Sequence, residues 1–188
     1  MKKLSMFFVF LFGVTLTGCA DREEARRPVF RSSGSFLKKS VEISRELVAD
    51  EEEIFDSIMK ANPDTEYLLS QKGYWYTFLE KSEAEDYLPK AGDLVYFDSQ
   101  ITSVSGDSIY RKGELKTREY LVDKVEFLIG LRDGLKRLKK GEKAQFLLPS
   151  HVAYGYLGDK NRIGMNVPII YTVTVVDIKK QSEPLKIN

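Results

Sequence analysis

Cysteine, histidine and tryptophan are nearly absent: Cys19, His151 and Trp75 are the only ones in 188 residues. With one thiol no intramolecular disulfide can form, and neither a Cys/His catalytic pair nor a His- and Cys-rich metal site can be assembled. A Ser-His-Asp triad would have to use His151, which lies between Ser150 and Val152 with no nucleophile elbow nearby. The dense acidic run Asp50-Glu51-Glu52-Glu53 falls in a segment of helical pattern, where consecutive side chains point in different directions and are expected to face solvent. Hydrolysis and redox chemistry are disfavoured, and no cofactor or metal is expected.

Long apolar runs are missing too, except at the start, where Met1-Lys2-Lys3 is followed by Leu4 to Leu16 and then Thr17-Gly18-Cys19. A basic start, a short apolar stretch and small residues at the cut are the parts of a secretory signal, and the stretch is too short to span a bilayer. Leu16-Thr17-Gly18-Cys19 matches the lipobox of bacterial lipoproteins. Residues 1-18 are therefore expected to be cleaved, and Cys19 to carry the acyl chains, palmitate among them, that tether the chain to a membrane. The expected location is the cell envelope outside the cytoplasm, with the periplasmic face favoured over the cell surface. Beyond residue 18 the chain has 27 basic and 28 acidic side chains. That near-neutral balance argues against nucleic acid as a partner.

Residues 19-35 are polar, with Pro28 and a Ser/Gly cluster, and read as a lipidated flexible tether. From Phe36 to Ala61 the apolar residues Ile43, Leu47, Val48, Ile54, Phe55, Ile58 and Met59 recur at helical spacing, and Asn62-Pro63 supplies the stop. The helical extension is placed at 36-72. Its apolar stripe has two readings: it packs on the domain that follows, or it pairs with a second copy of the chain to give a homodimer.

After Pro63 the period changes to two. Residues 73-79, 94-101, 143-148 and 169-175 are strand patterns, joined by turns at Lys90-Ala91-Gly92-Asp93, Ser105-Gly106-Asp107 and Lys140-Gly141-Glu142. Between them Leu128, Leu131, Leu135 and Leu138 mark one short helix. Four or five mostly antiparallel strands with a helix on the inner face make an α+β domain, placed at 73-179, with 180-188 as a tail.

The last third holds four blocks in a fixed order: Glu126-Phe127-Leu128-Ile129-Gly130-Leu131, Gly141-Glu142, Leu148-Pro149-Ser150-His151-Val152-Ala153-Tyr154-Gly155-Tyr156-Leu157-Gly158, and Ile163-Gly164-Met165-Asn166. Their order and separations resemble the FKBP-type peptidyl-prolyl cis-trans isomerases. The resemblance implies a curved antiparallel sheet wrapped around one short helix, and rotamase activity without a cofactor. Together with the lipobox and the leading helix, the chain is most similar to lipoprotein isomerases associated with gliding motility in Bacteroidetes-type bacteria.

Carried over residue by residue, the resemblance implies that Tyr154 offers its hydroxyl to a substrate carbonyl. Phe127 and Leu128 open the pocket helix, and the N–H of Leu128 is a second donor. Ile109, Tyr110, Ile163 and Tyr171 fall at pocket positions. Leu131 stands where the family often has a tryptophan, Tyr110 where it has an aspartate, and Gly164-Met165 where it has two prolines. Ser99 falls at a tyrosine position, unless the strand is shifted by two and Phe97 takes the role.

Two function classes follow. The first is a membrane-anchored prolyl isomerase acting on X-Pro segments of exported or envelope proteins. The second is a catalytically weak binding module or chaperone that keeps the cleft to dock an envelope partner.

Overall fold

The computed structural model describes residues 34–83 and 86–181, without the side chains of residues 35 and 36. The expected signal, Cys19 and almost all of the expected tether lie outside the described residues, as do the last seven residues. The unit that begins at Lys38 carries the sheet.

Helix α1 runs from Gly34 to Ala61. It ends where Asn62 turns its side chain back to donate to the Ile58 carbonyl at 2.8 Å, ahead of Pro63, which cannot continue the ladder. No described helix is long and apolar enough to cross a membrane. Along α1 the residues Glu51, Phe55, Ile58 and Met59 share one stripe, and Glu51 and Phe55 are buried. The expectation that the acidic run faces solvent therefore fails at Glu51. Residues four apart share a helix face, so the carboxylate one turn before a core phenylalanine must point inward with it.

Among the described residues seven strands form one antiparallel sheet, where four or five were expected. They are β1 (Leu68–Leu69), β2 (Trp75–Glu80), β3 (Leu94–Ser103), β4 (Ser108–Tyr110), β5 (Arg118–Leu121), β6 (Lys143–Leu148) and β7 (Ile169–Lys179). The order is β1-β2-β6-β7-β3-β4, with β5 also paired to β3. The three extra strands have two to four residues, too short for a period-two signal of their own; pairing with longer neighbours makes them strands.

Alternation sorts the sheet into two faces. On one, Tyr76, Phe97, Phe146, Tyr171, Val173 and Val175 build the main core with Leu131, Leu135 and Leu138. These leucines come from helix α2 (Ile129–Gly134) and the 3-10 turn that continues it. The close approach needs glycine at 134, where a Cβ would come within 2.5 Å of the Phe146 ring. On the other face Phe55 of α1 packs with Leu147 and Ile170, its ring centroid 5.8 Å from that of Trp75. Full burial of such a ring contributes about 2 kcal/mol.

A carboxylate fixes α2 to the sheet edge. Asp133 Oδ2 accepts from the hydroxyls of Tyr74 (2.6 Å) and Ser70 (2.9 Å) and from Arg137 Nη2 (3.0 Å). Burial pushes this carboxyl up, but the three donors outweigh it and hold it below the ordinary range.

Candidate functional site

One cleft of about 500 Å³ brings together Tyr110, Leu115, Arg118, Leu128, Ala153, Tyr154, Leu157 and Asp159. Four stretches of chain supply these residues: the end of β4, the link from β4 into the start of β5, the entry to α2 and the loop after β6.

The loop after β6 is built to present Tyr154. Pro149 stops the strand, and its carbonyl accepts from the N–H groups of Val152 and Ala153, both at 3.1 Å, closing a 3-10 turn over Ser150–Val152. Tyr154 comes next, half-buried, with its ring against the main core. Further on, the N–H of Asn166 donates to the Gly155 carbonyl at 2.9 Å and ties the Ile163-Asn166 loop to the same region. Burial pushes the Tyr154 phenol up to about 12; the nearby Tyr171 adds to this and Arg118 opposes it. The hydroxyl is thus a neutral donor at any physiological pH.

At the entry to α2, Leu128 is extended (φ −55°, ψ 130°), and its carbonyl accepts from Arg132 N–H at 2.9 Å. Among the described residues its own N–H has no acceptor. Phe127 lies half-buried beside it, stacked on Tyr120 at 5.4 Å and edge-on to Phe97 at 5.9 Å.

The structure separates the other expected residues into layers. Tyr110, Leu128 and Tyr154 line the cleft itself. Phe97, Leu131, Ile163 and Tyr171 are buried in the core, and Ile109 lines a shallow groove beside the cleft with Arg111 and Arg162. Between Ser99 and Phe97 the geometry favours Phe97: both point inward, but only Phe97 reaches Phe127, while the Ser99 hydroxyl is buried without a hydrogen-bond partner among the described residues.

Asp159 and Arg118 are among the cleft residues that escaped the sequence. Asp159 Oδ2 accepts from the Tyr110 hydroxyl at 2.5 Å, and its Oδ1 accepts from the N–H groups of Asn161 and Ile163, both at 2.8 Å. Burial raises the Asp159 carboxyl, but these donors hold it below its usual range; Tyr110 is raised by burial and by the same bond. A carboxylate thus sits in the cleft although position 110 carries a phenol. The turn-forming Gly158-Asp159-Lys160-Asn161 was the available signal. The second is Arg118, whose alternation with Tyr120 on β5 turns it inward.

Known proteins resemble this chain in sequence and in fold. The model of the FKBP-type peptidyl-prolyl cis-trans isomerase family matches residues 85–176. The chain is 31% identical over 113 residues to the FKBP-type isomerase FkpA of Escherichia coli K12, which is 58% of this chain and 39% of that protein. It is 30% identical over 112 residues to FkpA of Buchnera aphidicola, 58% of this chain and 42% of the relative. The chain thus spans less than half the length of these curated relatives. Among solved structures, a peptidyl-prolyl isomerase from Pseudomonas syringae superposes with a TM-score of 0.57 at 19% identity, over 73% of this chain and 96% of that one. FkpA of Escherichia coli gives 0.57 at 20%, over 95% and 82%. At such identities the superpositions show the fold.

Proposed function

We propose that residues 85–176, which the model of the FKBP-type peptidyl-prolyl cis-trans isomerase family matches, make this chain an isomerase for X-Pro segments of exported or cell-envelope proteins. Rotation about the X-Pro bond has a barrier of about 18-20 kcal/mol, set by amide resonance, and takes tens to hundreds of seconds unaided. No bond breaks, so the site needs no acid, base or cofactor. It needs to hold the twisted amide better than either planar form. A twisted amide has lost resonance and some polarity, which an apolar, water-poor wall tolerates better than water does.

The observation that carries this reading is the placement of Tyr154. Tyr154 is half-buried, its phenol stays protonated, and it lines the cleft together with Leu115, Leu128, Ala153 and Leu157. In the proposed mechanism it donates to the substrate carbonyl, the Leu128 N–H supplies a second donor, and Phe127 keeps water from the ring side. Phe97 and Tyr171 back these residues from the core.

The anchoring at Cys19, the cell-envelope location and a role in gliding motility belong to the same proposal and rest on the sequence. Pairing through α1 is supported by the exposure of Leu37, Val41 and Ile43 on its first half. A second reading, a docking module with little catalysis, is favoured by Leu131, which is wholly buried and is not among the cleft-lining residues. Exchange of cis and trans forms of short X-Pro peptides in the presence of the chain decides between the two.

A further inference from the structure

Strand β5 alternates Arg118 and Tyr120 inward with Glu119 and Leu121 outward. An inward arginine on a strand whose next inward residue is a core tyrosine is unusual chemistry for an apolar wall. The Arg118 guanidinium lies 4.9 Å above the centre of the Phe127 ring, and its Nη1 donates to the Tyr171 hydroxyl at 3.3 Å. It lines the same cleft as Tyr154 and Leu128.

Among the described residues the cation has no anionic partner. None of the seven ion pairs among the described residues includes Arg118. Glu119 points to solvent, and Glu114 is paired with Arg162 at 2.5 Å. Asp159 lines the cleft as well, but both its oxygens are taken by Tyr110 and by backbone N–H groups. Lys160 also lines the cleft, so its charged groups, Arg118, Lys160 and Asp159, sum to one positive charge. A guanidinium is weakly hydrated and presents a planar fork of donors that fits a carboxylate with two parallel bonds. Beside the half-buried Leu128 and Tyr154 such a pair is screened less than on open surface.

We infer that Arg118 is a specificity-determining residue that makes this cleft favour X-Pro segments carrying a carboxylate side chain next to the proline. The inference rests on the isomerase reading above and names the substrate class for it. The ring of Phe127 and the hydroxyl of Tyr171 hold the guanidinium in place, so an incoming Asp or Glu meets a charge already positioned. A Lys or Arg at the same place meets repulsion.

The test uses the chain, Arg118→Gln and Arg118→Lys with peptides that have Glu, Gln or Lys on either side of the proline. Catalysed exchange is read by NMR and peptide affinity by titration, each at low and at high salt. Thermal melting confirms that the variants are folded. In the parent, Glu peptides are expected to exceed Lys peptides by about fivefold in kcat/KM at one of the two positions, the size of a partly screened ion pair, mostly through KM. High salt shrinks the ratio. Arg118→Gln brings it close to one, whatever happens to the rate common to all peptides, and Arg118→Lys keeps part of it. If the parent turns over Glu and Lys peptides equally at both positions, or if Arg118→Gln keeps the ratio, the inference is overturned while the isomerase reading stands. If peptides bind without turnover, the isomerase reading falls, and the affinity ratio still decides on Arg118. If no X-Pro peptide binds or exchanges, both fall.

Discussion

The backbone N–H of Ser150 donates to Oε2 of Glu51 at 2.8 Å, a buried bond between residues 99 apart in sequence. Ser150 opens the 3-10 turn that precedes Tyr154, and the residue before it, Pro149, has no side-chain acceptor with which to cap that turn. Helix α1 therefore supplies from a distance the carboxylate that a local Ser or Asp would ordinarily supply. Its attachment reaches the loop that carries the candidate catalytic tyrosine.

From this follows the behaviour of position 51. Glu51→Ala leaves a buried N–H without a partner and is expected to cost about 2 kcal/mol of stability, with a several-fold loss of isomerisation as the Tyr154 loop loosens. Glu51→Gln retains an acceptor oxygen and should recover most of both. Urea denaturation alongside peptide exchange checks this. An alanine variant as stable and active as the parent contradicts the link.

Asp133 provides the acid-sensitive tie. Its carboxyl is held below the ordinary range in the folded chain, so its contribution is present above the unfolded carboxylate pKa of about 4 and is lost as pH falls through the depressed folded value. Asp133→Asn should lower stability at neutral pH by about 2 kcal/mol and flatten the acid limb of the stability curve. Unfolding midpoints measured from pH 7 downward test both, and an unchanged acid limb contradicts the assignment.

Ser99 points the other way. Its hydroxyl is buried between Phe97 and Ile101 on β3 with no partner among the described residues. Ser99→Ala removes an unsatisfied polar group at little cost in volume and should raise stability by about 1 kcal/mol, read as a higher denaturant midpoint. A lower midpoint would show that the hydroxyl has a partner.

At Cys19 the expectation concerns location. Only a thiol there can accept the diacylglyceryl group, so Cys19→Ser should abolish incorporation of a clickable fatty acid and release the chain from membrane pellets. Equal labelling of mutant and parent removes the anchor from the account.

Much of the fold could be read from the sequence because the long elements carry their own period. The alternation at residues 94-101 and the leucines at 131, 135 and 138 mark a strand and a helix without tertiary help. The short strands β1, β4 and β5 could not be read that way, since pairing with β2 and β3 decides them. At the site, Tyr154 and Leu128 could be singled out only through the resemblance of the blocks that carry them to a known family. Arg118, Asp159 and Glu51 were not singled out, because charged residues are by default assigned to solvent. Period alone held a clue to two of them: Glu51 is one helical turn before Phe55, and Arg118 is two strand positions before Tyr120. Leu131 is wholly buried, so a tryptophan at 131 overpacks the core and should destabilise by about 1-3 kcal/mol.

The central claim is that Tyr154 acts as a neutral hydrogen-bond donor to a twisting X-Pro amide. The most direct measurement is the catalysed exchange rate of an X-Pro peptide for the chain and for Tyr154→Phe between pH 6 and 9, with melting curves beside it. Because burial pushes the phenol up to about 12, the account predicts no loss of parent activity from phenol ionisation across that range. Tyr154→Phe should be several-fold slower, the effect of losing a bond of order 1 kcal/mol, with its fold intact. A folded parent without exchange activity, or one whose rate is indifferent to Tyr154→Phe, contradicts it.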